Sequence, residues 1–146
     1  MNRIMKLCIS SLMSILCVCC FWGCKNEEAP ETVRQEVKAR TGIDIPENTE
    51  VVYHFHDSGF QFYRRYTCFK FEEKPAELLE NNSFVEGQNQ ELETEFNYFY
   101  DHWRNNPVPN EYKANFEESY YALRKGNDFL VFFPETLLFI VYITGY

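Results

Sequence analysis

Two apolar runs near the C-terminus constrain this chain most. Phe129 to Phe133 and Leu137 to Thr144 are almost wholly apolar, and Pro134-Glu135-Thr136 separates them. Each falls short of the ~20 residues a membrane-crossing helix needs, and Pro134 with Glu135 keeps the two from merging into one. Short continuous runs rich in β-branched and aromatic side chains are expected as strands buried in a sheet. Just before them, Gly126-Asn127-Asp128 is a turn signal, which predicts a further strand over Ser119 to Arg124. Tyr112, Phe116 and Tyr120 keep helical spacing, so the first half of that segment is ambiguous. A three-strand meander therefore closes the chain.

Upstream, Pro30 to Thr41 is expected as a helix. Pro suits its first position, Glu27, Glu28 and Glu31 crowd its positive end, and Lys38 and Arg40 sit near its negative end. Val33 and Val37 share a face, and Gly42 is a C-terminal stop. A hairpin follows. Glu50 to His56 alternates, with Val51, Tyr53 and Phe55 on one side and Val52, His54 and His56 on the other. Asp57-Ser58-Gly59 supplies the turn, and Phe60 to Glu72 returns as an aromatic strand. Phe60 and Phe62 differ in parity from Phe69 and Phe71, which predicts a bulge near Arg64-Arg65. Lys74 to Asn81 is expected as a short helix and Asn82 to Gln90 as a polar loop. Leu92, Phe96, Phe99, Tyr100 and Trp103 form a helical stripe over Glu91 to Arg104, favoured over the strand that Phe96, Tyr98 and Tyr100 would also allow. The predicted class is α+β: an antiparallel sheet of about five strands with two or three helices on one face.

The N-terminal end carries a different message. Asn2, Arg3 and Lys6 are polar or basic, and Leu7 to Trp22 is apolar apart from small Ser and Cys residues. A run of about 16 residues suits the hydrophobic region of a signal peptide. After Phe21-Trp22-Gly23-Cys24 the chain turns abruptly polar with Lys25-Asn26-Glu27-Glu28. That junction resembles the lipobox of bacterial lipoproteins, in which a Cys after a small residue is lipidated on its thiol and becomes the new N-terminus. Gly23 fits the pattern; Phe21 and Trp22 depart from the Leu and small residue usual there. The resemblance covers only the leader and the overall size, which match the small bacterial lipoproteins of unassigned activity. It implies a signal peptide over residues 1–23, a lipidated Cys24 with a tether to residue 29, and one domain over residues 30–146. The protein would then be anchored by palmitate-type lipid to a membrane of the cell envelope, facing the extracytoplasmic side.

Composition fits a single core. Removing Arg3 and Lys6 with the leader leaves twelve basic against 22 acidic residues, a net charge of −10. A surface this acidic repels nucleic acid, which is excluded as a partner class. Five of the six cysteines lie in the leader, and lipidation of Cys24 leaves Cys68 as a lone thiol, expected as a buried small hydrophobe between strand-like neighbours.

Candidate chemistry is sparse. His54 and His56, two apart on a strand, point to one side and could ligate a metal, with His102 the only possible third imidazole. Their competing reading is a pair of solvated histidines on a hairpin. The acidic pairs Glu27-Glu28, Glu72-Glu73 and Glu117-Glu118 do not set two carboxylates across a bond, because adjacent side chains diverge, and are read as solvated surface. Aromatic residues make up 18% of the chain, more tyrosine than a small core satisfies easily, and a surplus would suit a protein or saccharide contact. No phosphate-binding loop, dinucleotide fingerprint, nucleophile elbow or zinc-finger spacing is present, and no cofactor is called for. The sequence thus predicts a non-enzymatic binding domain, with a metal-binding module or metal-dependent enzyme built on His54 and His56 as the alternative.

Overall fold

The computed structural model describes residues 28–58, 62–87, 89–102 and 108–145. The leader, Cys24, the Gly59 turn and Trp103 lie outside them. The elements run α1 (Pro30–Thr41), β1 (Glu50–Ser58), β2 (Tyr63–Lys70), α2 (Ala76–Asn81), β3 (Val85–Glu86), α3 (Gln90–His102), a 3-10 turn (Asn110–Tyr112), β4 (Tyr121–Lys125), β5 (Asp128–Phe133) and β6 (Leu138–Gly145). The six strands form one sheet in the order β1-β2-β6-β5-β4-β3, each neighbouring pair antiparallel. The fold is α+β, as expected.

The helix boundaries follow local chemistry. Pro30 opens α1, and Gly42 ends it at φ 72° with its N–H donating to the Lys38 carbonyl at 2.8 Å. That left-handed cap is open to glycine at little cost. The stripe on α3 is buried at Leu92, Phe96 and Phe99, so helix was the right reading of that segment.

Helices divide between the two faces of the sheet instead of sharing one. On the upper face, Tyr66, Cys68, Phe129, Val131, Ile140 and Tyr142 pack against Leu92, Phe96 and Phe99 of α3. On the lower face, Phe69, Leu130, Phe132, Phe139, Val141 and Ile143 pack against Val33 and Val37 of α1 and Leu79 of α2. The reason is visible in β5 and β6, whose side chains are apolar on both parities; neither face of such strands can be left to water.

Three local expectations are corrected. The register shift lies in β1 between Val51 and Tyr53, while β2 pairs with β6 without interruption from Tyr63 to Lys70. The extra residue in β1 sends Val51 to the lower cluster and Val52 with Tyr53 to the upper one. Asn82 to Gln90, expected as loop throughout, contributes the two-residue β3. Strand β2 is also shorter than the predicted Phe60 to Glu72.

Candidate functional site

Arg65 is the most unusual residue of the sheet. It lies on β2, on the lower face shared with Thr67 and Phe69, and only 5% of it is exposed. An isolated guanidinium there would be very costly, so its surroundings must answer its charge. Three groups do so. Two residues before α1, Glu28 accepts a 2.6 Å hydrogen bond from Arg65 Nη1. From the body of α1, Glu36 pairs with the same nitrogen. Within β2, the Tyr63 hydroxyl accepts from Arg65 Nε at 2.6 Å while donating to Glu36.

His54 closes the network from β1, opposite Thr67 in the register. Its Nδ1 is 2.9 Å from Thr67 Oγ1, and Nε2 faces Arg65 Nη1 at 3.4 Å and Glu28 at 3.7 Å. A guanidinium can only donate, so the network assigns Nε2 as acceptor and Nδ1–H as donor to Thr67. Burial, and next the Arg65 charge, push the His54 pKa down to about 4 against the opposing pull of Glu28. For Glu28, burial acts upward, but the hydrogen bond and charge of Arg65 outweigh it and hold the carboxyl below its usual range. With His54 neutral, one cation and two carboxylates leave the cluster at a net charge of about −1.

The His54 shift fixes the sign of a pH effect. Its folded pKa lies below the unfolded value, so between about 6.5 and 4 the unfolded chain binds the extra proton and stability falls as pH falls. From pH 7 to pH 5, His54 is expected to remove roughly 2 kcal/mol of folding stability. Urea unfolding of the wild type and His54→Gln at both pH values checks this. An equal loss in the two proteins would refute the assignment.

The three histidines do not converge. His54 and His56 share the lower face of β1, as expected, but His102 sits on α3 over the upper face, where it stacks on Tyr98 at 4.0 Å. Both nitrogens of His54 are engaged, and a guanidinium beside Nε2 repels a second cation. Among the described residues, no group of three or more His, Cys, Asp or Glu side chains is placed to hold a metal ion.

Cys68 is fully buried, its thiol directed to the Tyr112 carbonyl at 3.5 Å. Burial pushes its pKa well up, away from the thiolate a nucleophile requires. Among the described tyrosines, Tyr66, Tyr120 and Tyr142 are buried, and Tyr53, Tyr63, Tyr100, Tyr112 and Tyr121 pack partly buried against the core. Tyr66 is bonded through its hydroxyl to Tyr100 and to the Tyr112 carbonyl, both at 2.7 Å. Tyr120 donates to Glu93 at 2.9 Å and accepts from Asn89 N–H. Tyr98 is left 54% exposed.

Sequence reasoning passed over Glu28, Glu36, Tyr63 and Arg65. Glu28, expected on solvated surface beside Glu27, instead reaches Arg65. The available signal was Arg65 itself, a cation in a strand whose next residues are almost all core-forming.

No protein-family model, curated protein or solved structure matches the chain.

Proposed function

We propose that this protein is an extracytoplasmic lipoprotein, anchored to a membrane of the cell envelope through lipid on Cys24, and that its α+β domain binds a protein or saccharide partner without chemical turnover. The observation that carries the reading is the leader: a basic start, an apolar run ending at Gly23-Cys24, and an abrupt polar switch at Lys25. Among the described residues, no helix is long and apolar enough to cross a membrane. A binding role is supported by how the reactive side chains are committed. The Cys68 thiol is buried, His54 is held neutral between Arg65 and Thr67, and both carboxylates at Arg65 are engaged by it.

Cells fed labelled palmitate test the anchor. Label is expected in the intact protein and absent from Cys24→Ala. Equal labelling of both, or of neither, would remove the lipoprotein reading.

A further inference from the structure

We propose that residues 109–114, between α3 and β4, are a strap that swings off the upper face of the sheet as one unit while the rest of the domain stays folded. Two tyrosines of the upper core latch it. Lipidation of Cys24 plays no part in this device.

The strap contains the 3-10 turn Asn110–Tyr112. Core residues pin its ends: Val108 is 3% exposed, and Phe116 meets Phe96 and Phe133 at ring-centre separations of 5.6 and 5.9 Å. Among the described residues, the strap's backbone–backbone hydrogen bonds stay inside it. They run from Tyr112 N–H to the Pro109 carbonyl at 3.0 Å and from Lys113 N–H to the Asn110 carbonyl at 3.3 Å.

Side chains join it to the rest of the domain. The Tyr66 hydroxyl donates to the Tyr112 carbonyl at 2.7 Å and lies 2.7 Å from the Tyr100 hydroxyl, which accepts from Ala114 N–H at 2.9 Å. A phenol has one proton to give. Tyr66 commits its proton to Tyr112, so Tyr100 must donate to Tyr66. The bonds then run in one direction, from Ala114 N–H through Tyr100 and Tyr66 to the Tyr112 carbonyl, and the series starts and ends on the strap. Hydrogen bonds in series polarise one another, so the loss of one link weakens the others. Burial raises both phenol pKa values, which keeps both protons in place. Beneath the same carbonyl sits Cys68 Sγ at 3.5 Å, and the Tyr112 ring stacks on Tyr53 at 5.5 Å.

A segment held by a few such contacts opens locally at lower cost than the whole domain unfolds. Lifting this one uncovers the Tyr53 ring, the Tyr66 and Tyr100 hydroxyls and the Cys68 thiol. That shelf exists only in the open form. In the closed form the strap's own Tyr112 ring and carbonyl fill it.

Cys68 reports the opening, because it is fully buried beneath the strap. The full-length protein is treated with iodoacetamide at pH 8, and the peptide carrying Cys68 is followed by mass spectrometry, so the other cysteines do not enter. Labelling in native buffer is expected at a rate that stays flat up to about 1 M urea, since lifting the strap exposes little surface. Tyr66→Phe and Tyr100→Phe should each speed it about five- to tenfold. The double variant should fall well short of the product of the two. Phe139→Ala, in the lower core, should leave the rate within about twofold, because it acts on global stability alone. If one tyrosine variant fails to fold, the other carries the comparison with Phe139→Ala. A rate that climbs with urea from the first increment and rises in Phe139→Ala would show that Cys68 is reached only by global unfolding. That result, no labelling over a day in native buffer, or a double variant equal to the product would overturn the latched strap.

Discussion

Replacing Arg65 by methionine is expected to lower folding stability by about 3 kcal/mol, measured as a shift of the urea unfolding midpoint at pH 7. Methionine keeps the apolar stem, so the loss isolates the guanidinium. Without it, Glu28 and Glu36 face each other beside the Tyr63 hydroxyl with no cation among them. The two carboxylates are each 25% exposed and can turn partly to water, which keeps the cost at the low end for a broken buried pair. The triple variant Arg65→Met, Glu28→Gln, Glu36→Gln should recover a large part of that loss, because the orphaned charges are gone. A single variant within about 1 kcal/mol of wild type would show that Arg65 is not answered in solution as it is here.

Truncation of Phe139 to alanine should cost more, about 4 kcal/mol, since it deletes a fully buried ring from the middle of the lower core. Phe139 is the second residue of β6 and meets Phe69, Phe71 and Phe84 at ring-centre separations of 6.4, 5.9 and 5.8 Å. Three rings would border the cavity, and helices α1 and α2, fixed by other contacts, can close it only in part. For a domain of this size that is a fall in melting temperature on the order of 15 °C. Thermal unfolding followed by circular dichroism reads it, with Tyr98→Ala, on the exposed face of α3, as the control expected to move little. Similar melting shifts for both would contradict the lower core described here.

Much of the fold was legible because the signals were local. Pro30 and Gly42 bracket α1 through backbone chemistry that needs no tertiary context. The turn at Gly126-Asn127 and the two apolar runs made the β4-β5-β6 meander readable in outline. What escaped was decided between segments. The bulge depends on how β1 pairs with β2, a register no single strand encodes. Strand β3 exists only because Val85 and Glu86 meet Ala122 and Tyr121. The placement of helices on both faces was implicit in the unbroken apolar runs of β5 and β6, which leave no solvent-facing parity. The Arg65 cluster is the extreme case: its members are separated by up to 37 positions between Glu28 and Arg65, and only packing of α1 on the sheet unites them.

The strand order has a consequence for when such a chain can fold. Strand β6, the last of the six described strands in chain order, lies inside the sheet between β2 and β5, so Lys70 must find Leu138 before the two halves join. Until then the described residues before β3 comprise the β1-β2 hairpin and two helices, and a lone hairpin is marginal in water. Pairings so distant in sequence also form slowly. The polypeptide would therefore stay loosely ordered until β6 is available to pair. Folding is completed when that strand inserts between β2 and β5.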